Sequence, residues 1–404
     1  MTAINFKLKT LPLMSIAICM CFAGCSSDGP DTPYEPIPFT RTEQEIVGQG
    51  NDLGYKMLRA TYSPGLNTVE SPLSLSFALG MLANGAQDAT LDQILELNGA
   101  ESLDDLNSCM GKVLKNLRGA DSKVDLRIAN SLWLDKGFNA TEEFRNAVKS
   151  GYNADFFTEQ LNTEATMKKI NKWCSKKTNG MITDFLKEKL KDSDDMALYN
   201  AMYFKGEWTK RFDPKDTKDK FFHNATGRSS KVPMMYKTEG LNGYRADEYS
   251  ECVRVPYGNG NFYMELELPA KDKSVQEVIE ARLDGKRPES VTVTEIKLTL
   301  PRFKVLFEFN VSETLKNMGY DAINDMQEYT LISGSAPGMS HIKQMAVIEV
   351  DENGTKAAVV TGNGELTAER PMPVVELVFD RPFLYYIREA TTGATLFCGV
   401  INNL

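Results

Sequence analysis

The sequence predicts an α+β fold built on large mixed or antiparallel sheets. Three observations predict it: helical spacings cluster in the first half, strand patterns crowd the second, and no internal repeat or second linker interrupts residues 42–404. In order along the chain, Ser71-Pro72 opens a run to residue 97 with apolar side chains at 75, 78, 79, 82 and 86. That spacing predicts a helix with proline in its first turn. Residues 167–174 predict a basic amphipathic helix with Met167, Ile170 and Cys174 on one face. Strand patterns follow at 126–134, 197–204, 262–268, 291–300 and 374–379. The runs 383–387 and 394–400 flank Thr391-Thr392-Gly393 and predict a C-terminal hairpin.

Composition narrows the function. With 42% hydrophobic and 25% charged residues, the 404-residue chain is neither disordered, collagen-like nor a multi-span membrane protein. A net charge of −9 argues against nucleic acid as a partner, because that binding is driven by neutralising phosphates. Only His223 and His341 occur and no C-x-x-C pair does, so neither a metal nor a cofactor is expected. Catalysis is not expected either: G-x-S-x-G and H-E-x-x-H are absent, and Gly362-x-Gly364 lacks a nucleotide loop's third glycine. Cys109, Cys174, Cys252 and Cys398 are scattered through apolar surroundings and read as core packing.

The leader differs from the rest. Lys7 and Lys9 precede an apolar run over 11–23, too short to span a bilayer and followed by Gly24-Cys25-Ser26-Ser27. Phe22-Ala23-Gly24-Cys25 resembles the bacterial lipobox, with Phe22 where a branched aliphatic residue is usual. The organisation expected is a lipoprotein signal peptide at 1–24, a flexible tether at 25–43 and one domain at 44–404. Cys25 would carry the lipid, and the product would be exported and held on a membrane, periplasmic or at the cell surface. Plain secretion with a free Cys25 is the alternative. Residues 26–40 hold four prolines, a glycine and three carboxylates, the composition of an extended, solvated spacer.

One segment resists its pattern. Between strand-like residues 345–350 and 374–379 lie Asp351-Glu352-Asn353-Gly354 and some twenty residues with few large aliphatics, too long for an ordinary connection. Yet Thr355, Ala357, Val359 and Thr361 would share one small, neutral strand face. The sequence thus describes a loop that is also able to become a buried strand.

From about residue 44 onward the chain resembles the serpin family. Asn67 with Ser71-Pro72-Leu73-Ser74, then Ala78-Leu79, Gly85-Ala86 and Thr90, is similar to a family helix; Asn171-x-Trp173 with Thr178 and Ile182 is similar to another. Asn200 with Phe204-x-Gly206-x-Trp208, Phe212 and Thr217 matches a strand and turn beside the family's central sheet. Asp351-Glu352-x-Gly354-Thr355-x-Ala357-Ala358 resembles the reactive-loop hinge, and Arg381-Pro382-Phe383 through Leu396-Phe397-x-Gly399 resembles the closing strands. The resemblance implies three β-sheets, about eight or nine helices and an exposed reactive-centre loop.

It also implies a suicide inhibitor of serine, and of some cysteine, endopeptidases, forming a covalent 1:1 complex as a monomer. A cleaved loop would insert into the central sheet and carry the acylated protease with it. The hinge carries over onto Glu352, Gly354, Thr355, Lys356, Ala357, Ala358, Val359, Val360 and Thr361, with Lys356 standing where the family usually has Glu. The scissile bond falls between Ala368 and Glu369 by family spacing, within a window that includes Glu365, Leu366, Thr367 and Arg370. Arg370 precedes Pro371, whose ring makes it poor bait. The sheet-opening region carries over onto Ser71, Ser74, Asn200 and Trp208, and Gln344 stands where the family groups a histidine. An amide still donates and accepts there but does not titrate.

Two rivals have residues behind them. Lys168, Lys169, Lys172, Lys176 and Lys177 with Trp173 could bind a polyanion, though such a run is more often a solvated face with its tryptophan turned inward. A non-inhibitory member acting as a binding or structural protein is kept open by Lys356 and Glu365.

Overall fold

The computed structural model describes residues 35–239, 243–293, 295–353 and 374–404. Three sheets organise them. A five-stranded sheet runs Phe303–Asn310, Met339–Val350, Met196–Gly206, Val124–Asp135, Asp155–Glu159. A seven-stranded sheet is centred on Phe383–Glu389, with Thr395–Ile401 antiparallel to it as the hairpin pattern predicts. A four-stranded sheet holds Val374–Val378, Glu295–Pro301, Ser229–Glu239 and Lys218–His223. Eight α-helices occur among the described residues, the fifth continued by a π-helical turn. The α+β class and the three sheets agree with the sequence reading.

Local chemistry explains the elements. Arg41–Thr61 starts at a capping box, Thr40 taking the Glu43 N–H while the Glu43 carboxylate takes the Thr40 N–H. This helix begins within the stretch assigned to the tether. Just before it, Ile37 exchanges both backbone hydrogen bonds with the Asn116 side chain, which pins the chain at that residue to the helix Leu103–Leu117. Pro72–Ala83 is buried at every position, which places it in the centre of the main core. Met196–Gly206 is almost wholly buried and reads as a continuous apolar run, as a central strand covered on both faces should.

Two boundaries differ from the sequence reading. The run 71–97 is two helices, Pro72–Ala83 and Asp88–Asn98. At the break Gly85 packs so closely that a Cβ there would lie 2.3 Å from Ile332 Cγ1, and no larger residue could carry a straight helix through. The strand expected at 291–300 begins at Glu295. Glu289–Ser290 belongs to the seven-stranded sheet, whereas Glu295–Pro301 belongs to the four-stranded one.

The five-stranded sheet lies between two cores. One face meets the main core, which includes Leu132, Leu134, Leu198 and Met202. The other carries Trp133, Tyr199 and Met345 under Glu164–Lys177 and the segment after it, through Ile170, Cys174 and Phe185. Trp173 is 8% exposed and donates to Asp155 Oδ2 at 2.7 Å, so the inward reading of that tryptophan holds. All four cysteines of the described domain are buried and unpaired, and burial pushes the Cys109 and Cys174 thiols up to about 12.

Candidate functional site

The site follows from how two neighbouring strands run. Met196–Gly206 and Met339–Val350 are parallel, paired from Met339 opposite Met196 to Val347 opposite Tyr203. There the pairing stops. Residues 204–206 stay bonded to 124–126, and residues 348–350 stay bonded to 303–305, so the two strands part like the end of a split plank. A parallel pair offers evenly spaced backbone donors and acceptors, and a third strand entering here would find both edges available. Between the edges lies a cavity of about 510 Å³, lined by Tyr203, Phe204, Val347, Ile348, Trp208 and Tyr257 among others.

Asp351 and Glu352 close the mouth of this cleft. Trp208 stacks on Tyr257 with ring centroids 4.2 Å apart and donates its indole N–H to Asp351 O at 2.8 Å. Lys237 lies over the rings of Trp208 and Phe212, a cation–π arrangement in a desolvated setting. Glu352 is only 3% exposed. Its Oε1 accepts from Arg302 Nε at 2.8 Å, Arg302 Nη2 at 2.5 Å and Thr217 Oγ1 at 2.5 Å, while its carbonyl accepts the Phe212 N–H. Burial works to raise this carboxyl, but the Arg302 guanidinium and the Thr217 hydroxyl outweigh it and hold Glu352 below the usual carboxylate range.

A second polar cluster sits mid-sheet. Gln344 clasps the backbone of Ser71 from both sides: its Oε1 accepts the Ser71 N–H at 3.0 Å and its Nε2 donates to Ser71 O at 2.8 Å. Ser71 Oγ caps the helix that follows by accepting the Ser74 N–H, and lies 2.8 Å from Ser74 Oγ. All three residues are buried. Asn200 stands directly opposite Gln344 in the strand register, yet donates the other way, to Asn130 Oδ1 at 2.6 Å. Asn130 in turn donates to Tyr152 O. Thus Ser71, Ser74 and Gln344 form one cluster, Asn200 belongs to a chain of amides beside it, and Trp208 stands apart at the open end.

Thr217, Arg302, Asn130, Tyr257 and Lys237 were given no role by sequence reasoning. Thr217 was part of a quoted motif; for Arg302 the one available signal was its place just before a strand whose far partner is residue 350. The remaining hinge residues Gly354, Thr355, Lys356, Ala357, Ala358, Val359, Val360 and Thr361 lie outside the described residues. So do the scissile window Glu365, Leu366, Thr367, Ala368, Glu369 and Arg370, and the lipidation candidate Cys25. Among the described residues no cluster of His, Cys, Asp and Glu is placed to hold a metal ion.

A family model described as Serpin (serine protease inhibitor) matches residues 49–404. The chain is a serpin. It is 34% identical over 356 residues to a serine protease inhibitor of Cyanea capillata, a match covering 83% of this chain and 92% of the relative. It is 33% identical to Serpin-Z10 of Arabidopsis thaliana, over 86% of this chain and 94% of that one. Among solved structures, the thermophilic serpin tengpin in its native state superposes with a TM-score of 0.79 at 27% identity, covering 92% of this chain and 98% of tengpin. Arabidopsis AtSerpin1, in its native stressed conformation, gives the same score and identity over 91% and 99%. In the serpin frame, the split strands and the Glu352 clasp lie where the chain leads into residues 354–373.

Proposed function

We propose that this serpin is a suicide inhibitor of serine, and of some cysteine, endopeptidases. The observation that carries the reading is the open end of the five-stranded sheet, with Glu352 at its mouth and the small-residue stretch 355–361 next in sequence. A protease nucleophile would attack the carbonyl carbon of residue 368, the amine of residue 369 would leave, and the acyl-enzyme ester would remain. The freed segment, small and neutral on its inward face through Thr361, would then add as a strand between 196–206 and 339–350, with Glu365 left near the sheet's open end. A dozen new strand hydrogen bonds at a net of about 1 kcal/mol each supply on the order of 10 kcal/mol, enough to drag a tethered protease and spoil its deacylation geometry. The serpin itself contributes no catalytic group.

We also propose that the protein is an exported bacterial lipoprotein, anchored through Cys25 at the periplasmic or outer face of a membrane, and that it works as a monomer. The support is the leader sequence and the Pro- and Asp-rich spacer.

The test is denaturing electrophoresis after mixing the protein with elastase-like, subtilisin-like, papain-like and trypsin-like proteases. A boiling-stable band at the summed mass of serpin and serine protease is expected, and mass spectrometry of the released C-terminal peptide locates the bond. With papain-like enzymes the thioester is labile, so residual activity is read beside the gel. If every protease clips the loop and keeps its activity, the non-inhibitory reading takes over.

A further inference from the structure

The motif Asn171-x-Trp173 with Thr178 and Ile182 lies apart from the cleft, yet its contacts lead back to the same sheet. Thr178 Oγ1 accepts the Ile182 N–H at 3.2 Å, just past the end of the helix Glu164–Lys177. Asn171 grips the backbone of Leu186 from both sides, donating to its carbonyl at 2.9 Å and accepting its N–H at 2.7 Å. These bonds fix the position of the neighbouring Phe185, which is wholly buried.

Phe185 sits over the seam between two strands. Its ring meets Tyr199 of Met196–Gly206 edge to face, with centroids 5.1 Å apart. Its carbonyl accepts from Lys343 Nζ of Met339–Val350 at 2.6 Å, and the same ammonium lies 5.0 Å from the centre of the Phe185 ring. Tyr199 and Lys343 are direct partners in the strand register. One residue therefore touches both strands at one level, four positions inside the last pair, Val347 opposite Tyr203. Lys343 is held in turn by Glu308 Oε1 at 2.6 Å, on the strand Phe303–Asn310, and its side chain is only 13% exposed.

We propose that Phe185 and Lys343 staple this seam and set how readily an entering strand passes the level of Tyr199, a positioning role in the insertion step. The role in insertion rests on the inhibitory reading; the staple itself does not. Neighbouring strands lie about 4.8 Å apart, and a strand placed between two of them moves the pair to roughly 10 Å. The bond from Lys343 and the ring contact with Tyr199 cannot both survive that step, because carbonyl and ring belong to one residue whose neighbour is gripped by Asn171. An entering strand would part four pairs, about 13 Å of sheet, before it met the staple. The resistance therefore falls part-way through insertion, when an acylated protease would already be tethered and deacylation would compete.

The experiment is hydrogen–deuterium exchange of the uncleaved protein, read on peptides covering 196–206 and 339–350, and it needs no protease. Phe185→Ala and Lys343→Met should each speed exchange along the seam by about tenfold or more, as the loss of one buried bond to a charged donor implies. The double variant should exchange about as fast as the faster single one, because the two side chains act as one contact. Leu161→Ala opens the same core at a residue bonded to Asp135, beyond the strand that borders the seam, and should leave seam exchange within about twofold. Urea midpoints check that all the variants fold. The second readout is the half-life of inhibitory activity at a fixed elevated temperature, which Phe185→Ala should shorten about threefold or more and Leu161→Ala should not. Unchanged seam exchange in Phe185→Ala and Lys343→Met, or an equal rise in Leu161→Ala, would overturn the staple. Faster exchange with an unchanged half-life would overturn its part in insertion. A wild type that traps no protease would instead sink the inhibitory reading, and the exchange data would still decide the staple.

Discussion

Glu70 ends the short strand Thr68–Glu70, one residue before the Ser71 that Gln344 clasps, and is wholly buried. Its Oε1 lies within hydrogen-bond distance of Thr61 Oγ1, while Oε2 has no partner among the described residues. Thr61 has a single hydroxyl proton and is placed to give it to Met57 O at 3.1 Å. The same proton is within reach of Glu70 Oε1, so Thr61 can donate to the carboxylate only in competition with Met57 O. Burial accordingly pushes the Glu70 pKa from 4.5 up to about 8, and the Thr61 contact lowers it only in part. The other groups coupled to it are Cys398 and Tyr385, both buried and neutral, so no cation offsets the burial. Because the folded pKa lies above the unfolded one, the stabilisation is complete below pH 4.5 and is lost as pH rises towards 8. At about 1.4 kcal/mol per unit the full swing is on the order of 5 kcal/mol. In a domain this large that corresponds to roughly 5 °C in melting temperature. The carboxylates held low by cations, such as Glu352 and Glu265, contribute above their ordinary range and lose that contribution only at acid pH, so a window from pH 5.5 to 8 isolates Glu70. Differential scanning fluorimetry of the wild type and of Glu70→Gln across this window should show the wild type losing several degrees more than the variant. Parallel curves for the two proteins would show that Glu70 is ionised in the fold and would refute the argument.

Three further outcomes are expected. Thr355→Arg should convert the inhibitor into a substrate, because a charged side chain would have to enter the sheet interior; a full yield of covalent complex on gels would undo the insertion reading. Gln344→Leu strips the Ser71 N–H and C=O of their partners and should cost about 1–3 kcal/mol for each buried group left unpaired, read as a fall in the urea midpoint. Gln344→His should keep most of that stability but add a dependence on pH near 6 to 7, absent in the wild type.

Much of the fold was legible because its signals are local. Ser71-Pro72 before an apolar run is a local helix-start signal, and the largely apolar 197–204 run reads as a strand on its own residues. The hairpin at 391–393 was legible for the same reason. The break at Gly85 was not, since it answers to Ile332, nearly 250 residues away in sequence. The site shows the same division. The family resemblance grouped Gln344 with the Ser71 region, and the structure puts it there, but nothing in the sequence said that its amide would grip backbone. Nor could residue types alone pair Glu352 with Arg302 and Thr217, because an ion pair across fifty positions leaves no periodic trace.

Gln344, on the strand Met339–Val350, and Glu352, two residues past its end, are eight residues apart, about 26 Å if extended, and their clasps share no partner. They differ in kind. The Glu352 clasp is at the mouth of the cleft and includes Arg302, whose side chain is 45% exposed; the Gln344 clasp is buried and uncharged. If a strand enters from the open end, the sheet parts residue by residue, and each clasp is released in its own step. Glu352→Gln and Gln344→Leu should then shorten the half-life of inhibitory activity at a fixed elevated temperature by independent factors, the logarithms adding to within about 0.5 kcal/mol. Salt should matter only for the first, since screening reaches a half-exposed arginine but not a buried amide. A coupling above about 1 kcal/mol in the double variant would mean that the two strands separate along their whole length at once, and entry from the split end would no longer describe how the sheet opens.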